Sequence, residues 1–146
     1  MESDRRLRAV GAVSTMVDSC VLLDVLTDDS TWAPWATQAI SAADEAGPLI
    51  INPLIYAEVS AGYEAIEEVD AALPAGIFRR DPLPYDAGFL AAKAFLAYRR
   101  RGGTRTAPLP DFYIGAHAAV AGHRVITRDA ARFRTYFPTL EVVAPA

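Results

Sequence analysis

Four acidic side chains stand at the edges of apolar segments of this chain rather than in polar loops. They are Asp18, Glu58, Asp111 and Asp129. A carboxylate beside a hydrophobic core costs free energy unless its charge is compensated, and one divalent cation compensates several carboxylates at once. Hard cations take oxygen ligands, so an all-carboxylate set favours Mg²⁺ or Mn²⁺ over zinc. The four acids therefore predict a metal site suited to the hydrolysis of phosphodiester bonds.

Each acid also has a purely structural interpretation, and spacing alone does not decide between the two. Asp18 could stabilise the start of a helix, and Asp129 could cap a turn. Asp111 directly follows Pro110, where it could cap a helix. Glu58 could be a surface acid on a helix that buries its other face. The metal interpretation gains from the set as a whole, because every member lies near a predicted strand or helix end.

Short apolar runs alternate with amphipathic segments along the chain. Strands are predicted over residues 15–18, 49–51, 77–80, 125–127 and 140–143. Helices are predicted from apolar spacing, capping signals and stop signals over residues 19–26, 31–43, 53–59, 62–72, 85–101 and 111–121. This alternation is typical of an α/β sandwich built on a mostly parallel sheet.

The predicted sheet would bring the four acids to one place. In folds of this kind, ligands bind outside the carboxyl ends of the strands. Asp18 and Asp129 follow two predicted strands, Asp111 begins a predicted helix, and Glu58 lies in a helix that follows a strand. All four side chains can therefore face a single cleft.

Composition narrows the class of protein. The 146 residues suffice for one domain with a real core, and 52% of them are apolar. We expect this domain to span residues 16–146, with residues 1–15 as an N-terminal extension of low order. A net charge of −4 argues against binding duplexes through overall charge.

The cysteine count and hydropathy bear on the compartment. Cys20 is the only cysteine, so no intrachain disulfide can form, and we interpret it as a packed residue. No apolar run approaches the roughly 18 residues that span a bilayer. These features fit a cytoplasmic protein without a membrane partner.

The sequence also suggests positions or roles for other charged and polar residues. Arg128 stands beside Asp129 and is expected to compensate the charge of the acid cluster, whereas Asp24 is expected at the surface. His117 is expected to be packed or to face a partner. With His123 it makes two histidines, too few and too poorly placed relative to each other to form a zinc site.

Four stretches of the chain together resemble the PIN-domain nucleases, and among them the VapC-type toxins of bacterial toxin–antitoxin modules. The first runs from MVDS through VLLDVL, the second is INPLIYAEV, the third is LPDFYIGAHA, and the last is VITRDAARF followed by YFP. The third stretch is the most specific. The likeness extends over nearly the whole chain, from Met16 to Ala144.

The resemblance implies a PIN-like three-layer sandwich and a ribonuclease that depends on Mg²⁺, with Mn²⁺ as a substitute. It also implies an RNA substrate, inhibition by a small cognate antitoxin and usually a homodimer. By motif position, the four acids become the metal-site residues. Ser19 and Thr127 become hydroxyl groups that support the water or the metal. Arg132 stands where some members carry a further acid, and it could contact phosphate or an antitoxin carboxylate.

Two other functions remain open from the sequence. Another Mg²⁺-dependent phosphoryl hydrolase of the haloacid-dehalogenase kind would need an aspartate two residues after Asp18, where this chain has Cys20. A catalytically silent PIN-like binding module would be expected to have lost one or more acids, whereas all four are present here.

Overall fold

Five short parallel strands form the sheet at the centre of the molecule. The computed structural model describes residues 11–106 and 109–146. The strands are β1 (Thr15–Val17), β2 (Leu49–Ile51), β3 (Phe78–Arg80), β4 (Arg124–Ile126) and β5 (Val142–Val143). Their order across the sheet is β3-β2-β1-β4-β5, and every neighbouring pair is parallel. The predicted α/β fold with a parallel sheet is confirmed.

Seven helices flank this sheet within the described residues. They are α1 (Ser19–Leu26), α2 (Ala33–Ala46), α3 (Pro53–Ser60), α4 (Ile66–Ala72), α5 (Tyr85–Arg100), α6 (Pro110–Ala121) and α7 (Ala130–Tyr136). The sequence predicted six of them. It treated the segment of α7 as a turn, because seven residues hold too few apolar positions to display a helical period.

Complete burial explains why β1 and β2 read as continuous apolar runs. β1 is the middle strand, and Met16 pairs with Ile50 on one side and with Val125 on the other. All three residues of β1 and of β2 are buried. Strands covered by helices on both faces have no solvent side, so the alternation of polar and apolar residues disappears.

Local capping groups fix where several helices begin. The Asn52 side chain accepts a hydrogen bond from the Ile55 N–H at 3.0 Å, and Pro53 occupies the first turn of α3. The sequence predicted α2 to begin at residue 31, whereas the helix begins at Ala33 and its N-cap position, Trp32, has no side-chain cap. In the turn before the helix, Oδ1 of Asp29 accepts from the backbone N–H groups of Thr31 and Trp32.

Helix α6 lies between the two hydrophobic clusters of the protein. Its Ile114 packs with the sheet, while its Phe112 packs with α5 and with Phe137. Gly115 is needed for the approach of α7, because a Cβ there would lie 2.4 Å from the Phe137 ring and 3.2 Å from the Phe133 ring. The helix therefore has a fixed position relative to both the strand ends and α7.

The segment before β1 contributes backbone hydrogen bonds. The N–H of Val13 donates to the Ala46 carbonyl at 2.9 Å, and Thr15 begins β1. The larger part of the extension predicted for residues 1–15 lies outside the described residues. Among the helices that are described, none combines the length and the apolar character needed to cross a bilayer.

Candidate functional site

The carboxyl ends of β1 and β4 meet at the middle of the sheet. Asp18 directly follows β1, and its N–H donates to the Ile126 carbonyl of β4 at 3.0 Å. Thr127 follows β4 in the same way. Side chains that come directly after neighbouring parallel strands emerge at the same edge of the sheet, which is where α/β folds bind ligands. This edge is the frame on which the candidate site is built.

Asp18 is a buried carboxylate with both oxygens engaged. It is 5% exposed and forms the N-cap of α1. Its Oδ1 accepts from the Ser19 N–H at 2.8 Å, and its Oδ2 accepts from the Thr127 hydroxyl at 2.9 Å. Burial raises the pKa of Asp18, the Thr127 hydrogen bond opposes this, and the nearby charge of Asp111 raises it further. The structural and the metal interpretation of Asp18 are thus compatible.

Thr127 connects two of the four acids. Its fully buried hydroxyl donates to Asp18 and accepts from the Asp129 N–H at 3.1 Å. A hydroxyl has one proton to donate and lone pairs with which to accept, so this arrangement uses the group in both senses. It fixes the backbone of Asp129 relative to the Asp18 carboxylate. The support predicted for Thr127 therefore has a definite geometry.

Glu58 stands at the more exposed side of the same group of acids. Burial of part of its side chain raises its pKa, a hydrogen bond with the Ser19 side chain lowers it, and the charges of Asp18 and Asp111 raise it. The net direction is upward. Glu58 is therefore within electrostatic reach of two other acids on two other elements, as a shared cleft requires.

Asp111 is not a helix cap, although its sequence context suggested one. It is the second residue of α6, whose N-cap position is Leu109 and carries no side-chain cap. Its Oδ2 instead accepts from Nη1 of Arg132 at 3.0 Å. Burial raises its pKa, Arg132 lowers it, and the charge of Asp129 raises it, for a net upward shift. Asp111 is thus a half-buried acid with an arginine as its counter-charge.

The four acids form one electrostatic group without forming a tight cage. Asp111 raises the pKa of Asp18, both of these acids raise the pKa of Glu58, and Asp129 raises the pKa of Asp111. Asp129 itself is exposed and occupies the N-cap position of α7 without capping it. Within residues 11–106 and 109–146, only one trio of potential ligand atoms lies within 4.8 Å of each other, and it does not come from these four.

The sequence of this chain matches the PIN domain over residues 15–137. The chain belongs to the PIN-domain family. The matched stretch holds all four acids and every strand except β5. No curated protein sequence matches the chain.

Solved structures with the same fold come from bacterial protein complexes. VapBC2 from Rickettsia felis, bound to a DNA fragment from its promoter, shares 13% identity with a TM-score of 0.70 over 92% of this chain and 100% of that one. VapBC-1 from nontypeable Haemophilus influenzae shares 15% with a TM-score of 0.69 over 90% and 98%. A toxin–antitoxin complex from Klebsiella pneumoniae shares 22% with a TM-score of 0.67 over 90% and 98%. At these identities the likeness concerns the fold.

Arg128 of this PIN domain does not compensate the four acids, and Asp24 is not at the surface. Asp24 is 5% exposed, and Arg128 donates to both of its oxygens, at 2.6 and 3.1 Å. The guanidinium also lies over the Trp32 ring, 5.3 Å from its centroid. Both predictions were wrong for the same reason, because each residue found its partner on the neighbouring element.

The expected poor placement of the two histidines is also wrong. His117 is buried in α6, and His123 follows the end of that helix. Gly122 closes α6 in the left-handed conformation, with φ 77°, and the His123 N–H donates back to the Ala118 carbonyl. The chain therefore turns back on the helix, and the two rings lie 6.0 Å apart between centroids. Asp81 completes the trio with close ligand atoms. The feature of the sequence that indicates this arrangement is the glycine that ends the helix between the two histidines.

Aromatic and basic side chains lie beside Asp111 on α5, α6 and α7. Phe112 packs edge to face against Tyr98 and Tyr136, with centroids 5.6 and 5.4 Å away. The guanidinium of Arg101 lies over the Tyr136 ring, and that of Arg132 over the Phe112 ring. Phe112 is fully buried, so the part of this surface that a ligand can reach is the positive charge of the two guanidinium groups, which suits contact with an anion.

Proposed function

We propose that this PIN domain is a Mg²⁺- or Mn²⁺-dependent endoribonuclease, that it acts as the toxin of a toxin–antitoxin module, and that a cognate antitoxin inhibits it. The observation that carries the proposal is the grouping of the acids beside two adjacent strand ends. There the charge of Asp111 raises the pKa of Asp18, the charges of Asp18 and Asp111 raise the pKa of Glu58, and the charge of Asp129 raises the pKa of Asp111. Acids that oppose one another's ionisation are held together at a cost, which a cation removes.

The donor set fits a hard divalent cation. Asp18, Glu58, Asp111 and Asp129 offer carboxylate oxygens alone, and Mg²⁺ binds through few carboxylates while it keeps several of its waters. A loose group of four acids is therefore compatible with this ion, whereas a closed zinc site would need converging ligands. When bound, the ion supplies charge stabilisation to the phosphate and lowers the pKa of a water molecule.

The residues of the chain would divide the remaining work. Asp18 has both oxygens fixed by Ser19 and Thr127, which suits a rigid ligand rather than a proton carrier. Glu58 is more exposed and has a raised pKa, which suits acceptance of a proton from the attacking water. Arg132 can exchange its contact with Asp111 for one with a substrate phosphate, since a third of its side chain is exposed.

An RNA substrate is supported by the surface next to the acids. Arg101 and Arg132 lie over aromatic rings there, and the run of arginines before Gly102 ends α5. Single-stranded RNA is bound through phosphate contacts and stacking, so a small local basic surface suffices despite the net charge of −4. The cytoplasm, where RNA and a protein inhibitor are both present, is the compartment that we propose.

The proposed antitoxin is supported by the structural relatives, whereas the proposed homodimer rests on the family resemblance alone. The Klebsiella pneumoniae structure is a toxin–antitoxin complex, and its fold covers 90% of this chain. We propose the same kind of partner here. Size-exclusion chromatography with light scattering on the purified chain tests the dimer, and a monomer at micromolar concentration would contradict it.

The test is cleavage of a mixed RNA pool by the purified, antitoxin-free protein with Mg²⁺, with Mn²⁺ and with EDTA. Asp111→Asn should abolish cleavage. Asp86→Asn is the matched control, because Asp86 is exposed at the second position of α5, as Asp111 is the second residue of α6. Asp86→Asn should cleave as the wild type does.

The outcomes separate the nuclease from the binding module that the sequence left open. Metal-dependent cleavage that Asp111→Asn loses and Asp86→Asn keeps would establish the activity and its site together. Cleavage that persists in EDTA would contradict the metal dependence. If no RNA is cleaved and calorimetry detects no Mn²⁺ binding, the chain is a catalytically silent module.

A further inference from the structure

A second cluster of potential ligands lies apart from the four acids. Asp81, His117 and His123 each present one ligand atom, and the three atoms lie within 4.8 Å of one another. The pKa values in this cluster respond to one another and to Arg79, whereas those of the four acids respond to their own group. The two clusters are therefore distinct electrostatic units.

One nitrogen in this cluster has no hydrogen-bond partner. The Nε2 atom of His123 is fully buried and unpartnered within the described residues, and the side chain is 5% exposed. Oδ2 of Asp81 lies 3.6 Å away, which is within the range of an ion pair but long for a hydrogen bond. A buried polar atom without a partner costs free energy, so its persistence calls for a ligand.

The 3.6 Å separation matches two ligands of one metal ion. Zinc–nitrogen and zinc–oxygen bonds of about 2.1 Å at a tetrahedral angle place the two ligand atoms about 3.4 Å apart. The distance from His123 to Asp81 is too long for a hydrogen bond and right for a shared ion. We propose that Asp81, His117 and His123 bind a zinc-class divalent cation, with water in the fourth position.

The protonation of the cluster favours metal binding. Burial lowers the pKa of His117 and of His123, so both rings are neutral at pH 7, and neutral imidazole is the form that binds metals. The other nitrogen of His123, Nδ1, is hydrogen-bonded to the Ser14 hydroxyl. Such a contact orients the ring of a metal-bound histidine.

The histidine cluster is partly accessible from the surface through Asp81, and an ion bound there would connect several elements of the fold. Asp81 keeps 24% of its side chain exposed and borders a surface cavity of about 470 Å³. Its present partner, Arg79, is half exposed and can move into solvent. An ion at this point would connect the end of β3 with α6 and with the start of β4. We infer that it clamps the edge strand β3 to the centre of the fold.

Asn52 provides a way to strengthen the site. Its Nδ2 lies 3.2 Å from Nδ1 of His117, while its Oδ1 accepts from the Ile55 N–H. A histidine that binds a metal through one ring nitrogen carries a proton on the other. The N–H group of the Asn52 amide points toward that proton and so disfavours this form of His117. Asn52→Asp would keep the helix cap with one oxygen and offer the other to His117. Partners of this kind change metal affinity about 10- to 100-fold, so zinc affinity should rise by that factor.

The experiment is zinc titration of the purified full chain by calorimetry, with Mg²⁺ in excess to occupy the four acids. We expect one zinc ion per chain and a zinc-dependent rise in Tm. Asp81→Asn should lose both, while Asp111→Asn should keep both. Asp81 is partly exposed, so its variant should fold, and a thermal scan without metal checks this.

Three results would overturn the zinc site. They are no zinc binding by the wild type, unchanged binding by Asp81→Asn and His123→Gln, and binding that is lost in Asp111→Asn but kept in Asp81→Asn. The last would place the zinc at the four acids. None of these measurements requires RNA cleavage, so the zinc site and the proposed nuclease activity can fail independently.

Discussion

The four acids and the histidine cluster share helix α6, but burial shifts the pKa values of their residues on this helix in opposite directions. Helix α6 carries Asp111 at its start and His117 six residues later, about 9 Å along the axis. Near Asp111, burial and neighbouring acids raise pKa values. Near His117, burial lowers them and leaves the rings neutral. The same desolvation thus disfavours charge in both places, but the histidines lose theirs, whereas the four acids retain charges that need a counter-ion.

This difference makes the two clusters suited to different ions. The acids offer oxygen atoms on separate elements and suit a hydrated Mg²⁺. The histidine cluster offers two nitrogens and one oxygen in close approach and suits zinc. The comparison predicts that changes in one cluster leave the metal preference of the other intact, and the following variants test this.

The largest expected effect is on catalysis at Glu58. Glu58→Gln should reduce RNA cleavage by about 10²-fold or more, because a positioned proton acceptor contributes that much. It should not lower the Tm of the metal-free protein, since the charge it removes is disfavoured in the fold. Cleavage assays and thermal scans in EDTA check both parts. A large drop in Tm would show that Glu58 is structural.

Substitutions of two arginines distinguish a counter-charge that stabilises the fold from a counter-charge at the candidate site. Arg128→Ala should destabilise the protein by about 2–3 kcal/mol, because Asp24 would be left buried without its partner. Added Mg²⁺ should not restore this loss. Arg132→Ala removes the counter-charge of Asp111, so Mg²⁺ should restore its Tm. Urea unfolding with and without Mg²⁺ gives the comparison, and rescue of Arg128→Ala would contradict it.

The hydroxyl of Thr127 should have a smaller effect on stability. Thr127→Val removes the donor to Asp18 and the acceptor for the Asp129 N–H, for a loss of about 1–2 kcal/mol. Cleavage should fall as well, because both acids lose their fixed relation. Thr127→Ser keeps the hydroxyl and is the matched control. A loss in Thr127→Ser with none in Thr127→Val would mean that the methyl group, not the hydroxyl, matters.

The two clusters should give opposite pH trends in the metal-free protein. The histidine pKa values lie below 6.5 in the fold, so the unfolded chain takes up protons first and stability falls as the pH drops below 6.5. The pKa of Glu58 lies above 4.5 in the fold, so the folded chain takes up that proton first and stability rises as the pH drops toward 4.5.

Variants separate these trends. In chelator, His123→Gln should lose less stability than the wild type between pH 6.5 and pH 4.5, and Glu58→Gln should lose more. Chemical denaturation at each pH measures the free energies. Parallel pH curves for the wild type and both variants would refute the assignment.

The smallest effect is expected at Cys20. Burial, followed by the charge of Asp18, raises its pKa to about 11, so the thiol stays neutral and reacts slowly. Cys20→Ala should cleave RNA nearly as the wild type does. Labelling by iodoacetamide should be much slower in the native than in the unfolded protein, and rapid native labelling would contradict this.

The four acids were predictable because they follow strong local patterns. Buried strands appear as apolar runs, and Asp18 comes directly after β1 while Asp129 lies three residues after the end of β4. The partners of charged groups were not predictable in this way. Arg128 binds Asp24, which lies 104 positions away, and the histidine cluster requires Asp81, 36 positions before His117. Such pairings depend on how elements pack, which hydrophobic periodicity does not specify.

The sheet order sets when the candidate site can form. β1 pairs with β4, so the hydrogen bond from Thr127 to Asp18 joins groups 109 positions apart. Contacts of such long sequence separation close late in folding. Domains made on ribosomes fold as their chain emerges, at about 5–20 residues per second. A nascent chain that lacks β4 has neither Thr127 nor Asp129, so no copy could carry out the proposed cleavage before β4 has been made and has paired with β1.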